Sequence, residues 1–349
     1  MFLHVDMDYF FAQIEELRHP MEKDRIIVVC VYSGRTSDSG VVSTVNYKGR
    51  RFGIKSGMPI AMAKKRAPPA DTLFLPVDRA KYELVSAEID YIIRKYSKRV
   101  SRASIDEWNL ELSQIPEETA LAIKEEIKEK TGLTCSVGGA PSLLGAKMAA
   151  QKSKPNGLLL LSEMEERRLI ESSDVQKVPG IGTKTAETLH GMAVEKVHDL
   201  GKIEVLKLVD RFGRKTGAWL HEISKGNYGD ELEEEKEQSE VSRLGTLKNK
   251  TKDSYLIMLT VSDLEKEAKH WLREHKKSYK TLTLIFITED MKTHTKSISF
   301  RNPRNWEEDI TGEAMSLVNG FLKENSHEVR RVGIRFSNFI DMGGQTKLF

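Results

Sequence analysis

The chain has 349 residues, 39% hydrophobic and 31% charged, with a formal net charge of +3. This is ample for more than one apolar core, and the length points to two or more domains. No apolar run reaches membrane-spanning length and no signal peptide is expected before the first strand. The two cysteines, Cys30 and Cys135, lie far apart in apolar contexts, which excludes a disulfide framework and suits reduced thiols in the cytoplasm.

Met1–Phe11 begins as an apolar run without turn residues and is expected to be a strand, with Asp6 and Asp8 on one face. Residues 9–17 follow as a helix, 25–31 as a buried strand, and 41–47 lead into a basic segment around Arg50 and Arg51. Residues 81–100 show one long amphipathic pattern, and 116–131 a second helix with acids in its first turn and lysines in its last. A strand is expected over 133–139 and a helix over 141–152. With the strand that carries Asp6, these elements form an antiparallel sheet backed by helices.

Residues 162–228 are helical with short loops. Within them Val178-Pro-Gly180-Ile-Gly182-Thr-Lys184 has the form of a helix–hairpin–helix turn, whose N–H groups can dock a phosphate. A plain interhelical turn is the other reading, and Arg211–Lys215 offers a second basic turn. Residues 229–240 hold seven acids and one lysine and should stay extended and solvated. From 241 to 304 there are 14 Lys/Arg against 7 Asp/Glu, so charge is segregated along the chain. The order expected from 241 to 340 is strand 241–247, helix 262–275, strand 282–288, strand 294–300, helix 306–322 and strand 329–336, a split β-α-β sheet with its helices on one face.

A second acidic couple, Asp106-Glu107, follows the basic end of the 81–100 pattern. Brought together with Asp6, it makes an oxygen-only cluster suited to Mg2+, and two such ions can hold the attacking and leaving oxygens of a phosphoryl transfer. A strand that merely ends in solvent at Asp6 is the alternative.

Five pieces occur in one order: Val5-Asp6-Met7-Asp8-Tyr9-Phe10-Phe11, Thr44-Val-Asn46-Tyr47-Lys-Gly-Arg50-Arg51-Phe-Gly53, Ser104-Ile-Asp106-Glu107, Lys154-Pro-Asn-Gly157 and Val178-Pro-Gly-Ile-Gly182. Together they make the chain similar to the Y-family DNA polymerases of the archaeal and bacterial DinB type, over nearly its whole length. The resemblance implies an α+β right hand: palm 1–9 and 77–161, small fingers 10–76, helical thumb 162–228, linker 229–240 and little finger 241–340. The implied activity is template-directed, low-fidelity addition of dNTPs to a primer 3′ end, with bypass of damaged bases. The cofactor is two Mg2+, with Mn2+ able to substitute.

By the same resemblance Asp6, Asp106, Glu107 and the Met7 carbonyl bind metal, while Asp8 orients its surroundings. Tyr9, Phe10, Phe11, Thr44, Tyr47, Arg50 and Lys154 bind the nucleotide. Phe11 is the steric gate against a 2′-hydroxyl, and Ser43 and Gly57 roof the base pair. Gly180, Gly182 and Lys184 meet DNA in the thumb. Lys248, Lys250, Lys252, Lys296, Arg301, Arg331 and Arg335 meet it in the little finger. The partners are primer-template DNA and dNTP, the chain acting as a monomer. Gln345-Thr-Lys-Leu348-Phe349 partly resembles a sliding-clamp-binding tail, a frayed terminus being the alternative.

The chain departs from the family pattern at Ser142-Leu143, where Asn-Lys is usual, and at Trp108-Asn109, where a small and an aromatic residue are usual. The first implies a weaker nucleotide or primer contact, and the second a bulky ring beside the metal site. Val41 stands where a smaller residue is frequent and implies a tighter roof. A nucleotidyl cyclase on a related palm and a silent DNA-binding scaffold are the rival functions. Neither needs this whole set of features.

Overall fold

The computed structural model describes residues 1–22, 24–113, 117–229, 231–232 and 237–341. The tail from 345 to 349 and five residues of the acidic segment, 230 and 233–236, lie outside the described residues. Two compact units are distinguished, one of Met1–Cys30, Val42–Met58 and Ala63–Glu235, the other of Val31–Val41, Pro59–Met62 and Lys236–Phe349.

The first half of the chain runs β1 (Phe2–Met7), α1 (Phe10–Arg18), β2 (Ile26–Tyr32), β3 (Gly40–Val45), α2 (Tyr47–Arg50), α3 (Ile60–Arg66), β4 (Thr72–Pro76), α4 (Arg79–Ile93), β5 (Arg99–Arg102), β6 (Glu107–Glu111), α5 (Glu117–Thr131), β7 (Cys135–Ala140), α6 (Leu143–Ser153) and β8 (Leu158–Leu160). Its main sheet has the order β5-β6-β1-β7-β8, which places the Asp6 strand at the centre. All six residues of β1 are buried, because helices cover the sheet and both neighbours are paired. The core beneath joins Leu3 and Val5 of β1 to Ile89 and Ile93 of α4 and to Ile123 and Ile127 of α5.

Two expectations change here. The sheet is mixed, not antiparallel: β8 runs parallel to β7, since the chain returns through α6 before re-entering the sheet. The 81–100 pattern is no single helix either. α4 stops at Ile93, and Val100 joins β5 opposite Leu110, where cross-strand pairing outweighs the helical periodicity. A smaller sheet has the order β3-β2-β4, and its neighbouring helices α2 and α3 have only 4 and 7 residues.

The second half continues with α7 (Glu163–Ser172), α8 (Thr183–Gly191), α9 (Val197–Leu200), α10 (Val205–Phe212) and α11 (Arg214–Ser224) around their own apolar cluster. It ends with β9 (Glu240–Thr251), α12 (Ser254–Glu274), β10 (Lys277–Thr288), β11 (Thr293–Arg304), α13 (Thr311–Glu324) and β12 (Val329–Asp341). The strand–helix–strand–strand–helix–strand order agrees with expectation, and the sheet order is β11-β10-β12-β9. α12 begins eight residues before the expected start because Asp253 caps it, accepting from the Tyr255 and Leu256 amides. α13 starts at Thr311, not at residue 306, behind Asp309, which accepts from the Thr311 amide. Among the described residues no helix is long and apolar enough to cross a membrane.

Candidate active site

Register brings the carboxylates together. Asp6 of β1 stands opposite Glu107 of β6, and the Met7 amide donates to the Asp106 carbonyl at 2.9 Å. The Ser104 hydroxyl donates to Asp106 Oδ1 at 2.6 Å and holds that side chain in place. Asp6, Met7, Asp106 and Glu107 all border one cavity of about 220 Å3. The Met7 side chain lies in the core, so its backbone is what faces this space. Lys154 Nζ lies 2.6 Å from Asp6 Oδ1, and Lys147 Nζ lies 2.6 Å from Glu107 Oε2. Burial pushes the Asp6 carboxyl up to about 6 against the pull of Lys154, and Glu107 and Asp106 add to the rise.

Asp8 is on the same face but turned to other work. Its carboxylate accepts from Ser136 at 2.8 Å, Thr134 at 3.0 Å and the Asn156 amide at 2.8 Å, and it is fully buried. These bonds tie the end of β1 to β7 and to the loop that carries Lys154.

The strand ends because Tyr9 adopts φ 36°, a left-handed conformation that costs a non-glycine residue about 1–2 kcal/mol. This turn starts α1 and sends Tyr9, Phe10 and Phe11 to the cavity edge. Phe10 is only 2% exposed, so its ring serves the core. Phe11 stacks on Tyr82, whose hydroxyl donates to the buried Glu15 carboxylate at 2.7 Å. Thr44 and Ser43 of β3 and Arg50 of α2 border the same cavity. Tyr47 does not border it, but meets Tyr9 edge-on at 4.9 Å and lies 4.7 Å beneath the Arg50 guanidinium. Burial, helped by the Asp8 carboxylate, pushes the Tyr47 hydroxyl up to about 12. Gly57 donates its amide to the Val42 carbonyl.

Both departures from the expected pattern resolve into structure. Trp108 does not stand beside the carboxylates. Alternation along β6 turns it to the opposite face from Glu107, where it is fully buried and donates to Asp90 of α4 at 3.0 Å. Ser142 caps α6 by accepting from the Gly145 amide, and its hydroxyl and amide both donate to the buried Glu166 carboxylate of α7.

In the helical segment Gly180 has φ 95°, Gly182 is the N-cap of α8 and Lys184 is exposed in the first turn. The positive φ at 180 favours glycine, and a Cβ there would lie 3.1 Å from the Trp219 ring, which would have to shift.

In the four-stranded sheet, Val332, Ile334 and Phe336 of β12 face the helices, which puts Arg331 and Arg335 on the outer face. Arg301 continues the exposed alternation of β11 on that side. Lys296 does not. It pairs with the buried Leu284 and bonds to Glu324 of α13 at 2.5 Å, so it is on the helix side. Lys248, Lys250 and Lys252 are exposed where the β9–β12 register shifts, and Lys250 is paired with Glu289. The outer face also carries hydroxyls that sequence reading overlooked. Thr281 and Thr283 of β10 bond to Ser299 and Ser297 of β11. Their period-two spacing was the available signal. His4 and Lys147 were overlooked as well; His4 sits two residues before Asp6, whereas nothing local marks Lys147.

Family models match three stretches: the impB/mucB/samB family over residues 5–151, its C-terminal domain over 239–348, and a thumb domain described for DNA polymerase-iota over 176–227. The DNA polymerase IV of Methanosarcina acetivorans is 37% identical, covering 99% of this chain and 98% of that protein. The chain belongs to the Y family of DNA polymerases. Among solved structures, a Y-family DNA polymerase chimera of Dbh and Dpo4 has a TM-score of 0.90 at 32% identity, covering 97% of this chain and 99% of that one. An insertion ternary complex of Dbh DNA polymerase has a TM-score of 0.69 at 32% identity over the same shares.

As a Y-family member the chain has the right-hand α+β fold, with a palm sheet, small fingers, a helix–hairpin–helix thumb and a little finger. It is a DNA-directed DNA polymerase of the translesion class. The family depends on divalent metal, and acidic groups able to hold one converge here.

Proposed function

We propose that Asp6, Asp106 and Glu107, with the Met7 carbonyl, hold two Mg2+ and that the cavity beside them takes the triphosphate of an incoming dNTP. One observation carries this reading: three carboxylates from β1 and the β5–β6 corner border a single cavity with Tyr9, Phe11, Thr44 and Arg50. The donor set is all oxygen, which suits a hard cation, Mg2+ first and Mn2+ as a substitute. Bound there, the ions would acidify the primer 3′-hydroxyl and neutralise the leaving pyrophosphate.

The chain's own residues do the rest. Ser104 fixes the Asp106 carboxylate, and Asp8 locks the Lys154 loop to the sheet. Lys147 and Lys154 balance the carboxylates, and Lys154 is well placed to pass to a phosphate when the cavity fills. Arg50 can fork onto phosphate oxygens beside the Thr44 hydroxyl. The Phe11 ring, backed by Tyr82, excludes a 2′-hydroxyl. With α2 and α3 so short, little closure energy is available for rejecting a mismatch, which supports low fidelity.

The palm is residues 1–9 and 77–161, the fingers 10–76, the thumb 162–228 and the little finger 241–340. Gly180, Gly182 and Lys184 hold a DNA phosphate at the start of α8, while Arg301, Arg331 and Arg335 hold others independent of sequence. The chain works as a monomer on primer-template DNA in the cytoplasm, where its buried thiols Cys30 and Cys135 stay reduced. Its last five residues engage a sliding clamp.

Primer extension tests the reading. Short, distributive extension with frequent misinsertion should appear with Mg2+ and dNTPs, and an Asp106→Ala, Glu107→Ala variant should bind DNA without extending it. Equal extension by that variant would overturn the assignment of the carboxylates.

A further inference from the structure

His4 has no part in the reading above. It leaves β1 on the face that carries Asp6 and stands opposite Asn109 in register. Its ring is fully buried, with Nδ1 2.6 Å from Asn109 Oδ1. An amide oxygen only accepts, so Nδ1 carries the hydrogen and Nε2 keeps its lone pair. Nε2 is buried without a hydrogen-bond partner. One ring nitrogen of His4 and one carboxylate oxygen from each of Asp6 and Glu107 lie within 4.8 Å of one another. Nδ1 is committed to Asn109, which leaves Nε2 as the ring's unused lone pair. Lys154 and Lys147 already balance the two carboxylates, so the unmet group is His4 Nε2, a buried acceptor whose cost a donor or a cation would remove.

We propose that His4, Asp6 and Glu107 form a nitrogen-bearing divalent-cation position, beside the oxygen-only catalytic pair, that selects first-row transition ions such as Mn2+ over Mg2+. Imidazole favours such ions, whereas Mg2+ keeps to oxygen and water. Asn109 supplies the outer hydrogen bond that orients a ligating histidine and fixes its tautomer. The position rests on the reading of Asp6 and Glu107 as cation ligands and competes with the catalytic pair for both. Lys147 and Lys154, which lie on those carboxylates, withdraw when it fills.

Electron spin-echo envelope modulation of Mn2+ tests this on the full chain, with one equivalent of Mn2+ and no DNA or nucleotide. A 14N modulation should appear and should become a 15N signal when the histidines alone carry 15N, a change that leaves the fold untouched. The signal should vanish in His4→Phe and persist in His190→Ala, which removes the other described group of acids around a histidine, Asp174, His190 and Glu195. Asn109→Leu should raise the Kd for Mn2+ by about 10–100-fold and leave that for Mg2+ unchanged. No histidine coupling in the wild type, coupling that survives His4→Phe, or an equal effect of Asn109→Leu on both ions would each overturn the proposal. Asp106→Ala separates it from the polymerase reading: extension should be lost and the nitrogen coupling kept. Extension by the wild type without coupling sinks this inference alone.

Discussion

The rings of Phe11 and Tyr82 lie stacked, with centroids 4.3 Å apart and planes inclined by 17°. Tyr82 is itself anchored by its hydrogen bond to Glu15, whose carboxylate also pairs with Arg18 at 2.9 Å. The proposed gate is therefore backed by a chain of fixed groups running from α1 to α4. Phe11→Ala should raise incorporation of ribonucleotides relative to deoxynucleotides by roughly 10–200-fold, the range of discrimination by size. Tyr82→Leu should give a smaller rise, because the gate remains but loses its backing. Single-nucleotide insertion with matched rNTP and dNTP measures both.

The two lysines on the carboxylates make a prediction about affinity. Lys154→Met removes the ammonium 2.6 Å from Asp6. Divalent cations should then bind the free protein more tightly, while KM for dNTP rises about tenfold as a phosphate contact worth roughly 1.4 kcal/mol is lost. Calorimetric titration of Mn2+ set beside steady-state insertion kinetics separates the two effects. Weaker cation binding in the variant would show that Lys154 does not compete with the metals.

The outer face of the four-stranded sheet can be told from its helix face by salt dependence. Arg331→Ala should weaken DNA binding and lower the slope of log affinity against log salt by about one. Lys296→Ala should leave that slope unchanged, since its ammonium is held by Glu324 on the side of α13. Fluorescence anisotropy across a salt series gives both slopes.

Ser142 joins two helices through Glu166. Ser142→Ala removes an N-cap and one partner of a buried carboxylate, so it should cost about 1–2 kcal/mol. The loss should appear as a lower urea midpoint and as faster amide exchange at the start of α6. Gly145→Ala should be worse, since the added Cβ would fall 1.9 Å from Glu166 Oε1.

Cys135 is 1% exposed, and burial pushes its thiol up to about 12, with Lys124 opposing. A raised thiol pKa means that the reactive thiolate is scarce in the native protein. Iodoacetamide at pH 8 should therefore leave Cys135 unmodified while the protein is folded and label it readily in urea, and raising the pH from 7 to 9 should not rescue native labelling. Mass spectrometry of the tryptic peptide reads the outcome.

Much of the molecule was legible in the chain because its signals are local. The strand that carries Asp6, the Asp106-Glu107 couple, the glycines of the 178–182 turn and the alternation of strands and helices after 240 each depend on neighbours in sequence. Helix and strand ends were read less well wherever pairing overrode pattern, as at Val100, drawn into β5 by Leu110.

What only the tertiary structure decided was which face each side chain takes and whom it meets there. Trp108 and Glu107 are adjacent in sequence, yet one fills the core against Asp90 and the other meets Lys147. Lys296 and Arg301 read alike as basic strand residues and end on opposite faces. His4 finds Asn109, and Ser142 finds Glu166, only through cross-strand register and helix docking. Strand periodicity sorts residues into two sets but does not say which set faces the helices; that is settled by burial against elements distant in sequence.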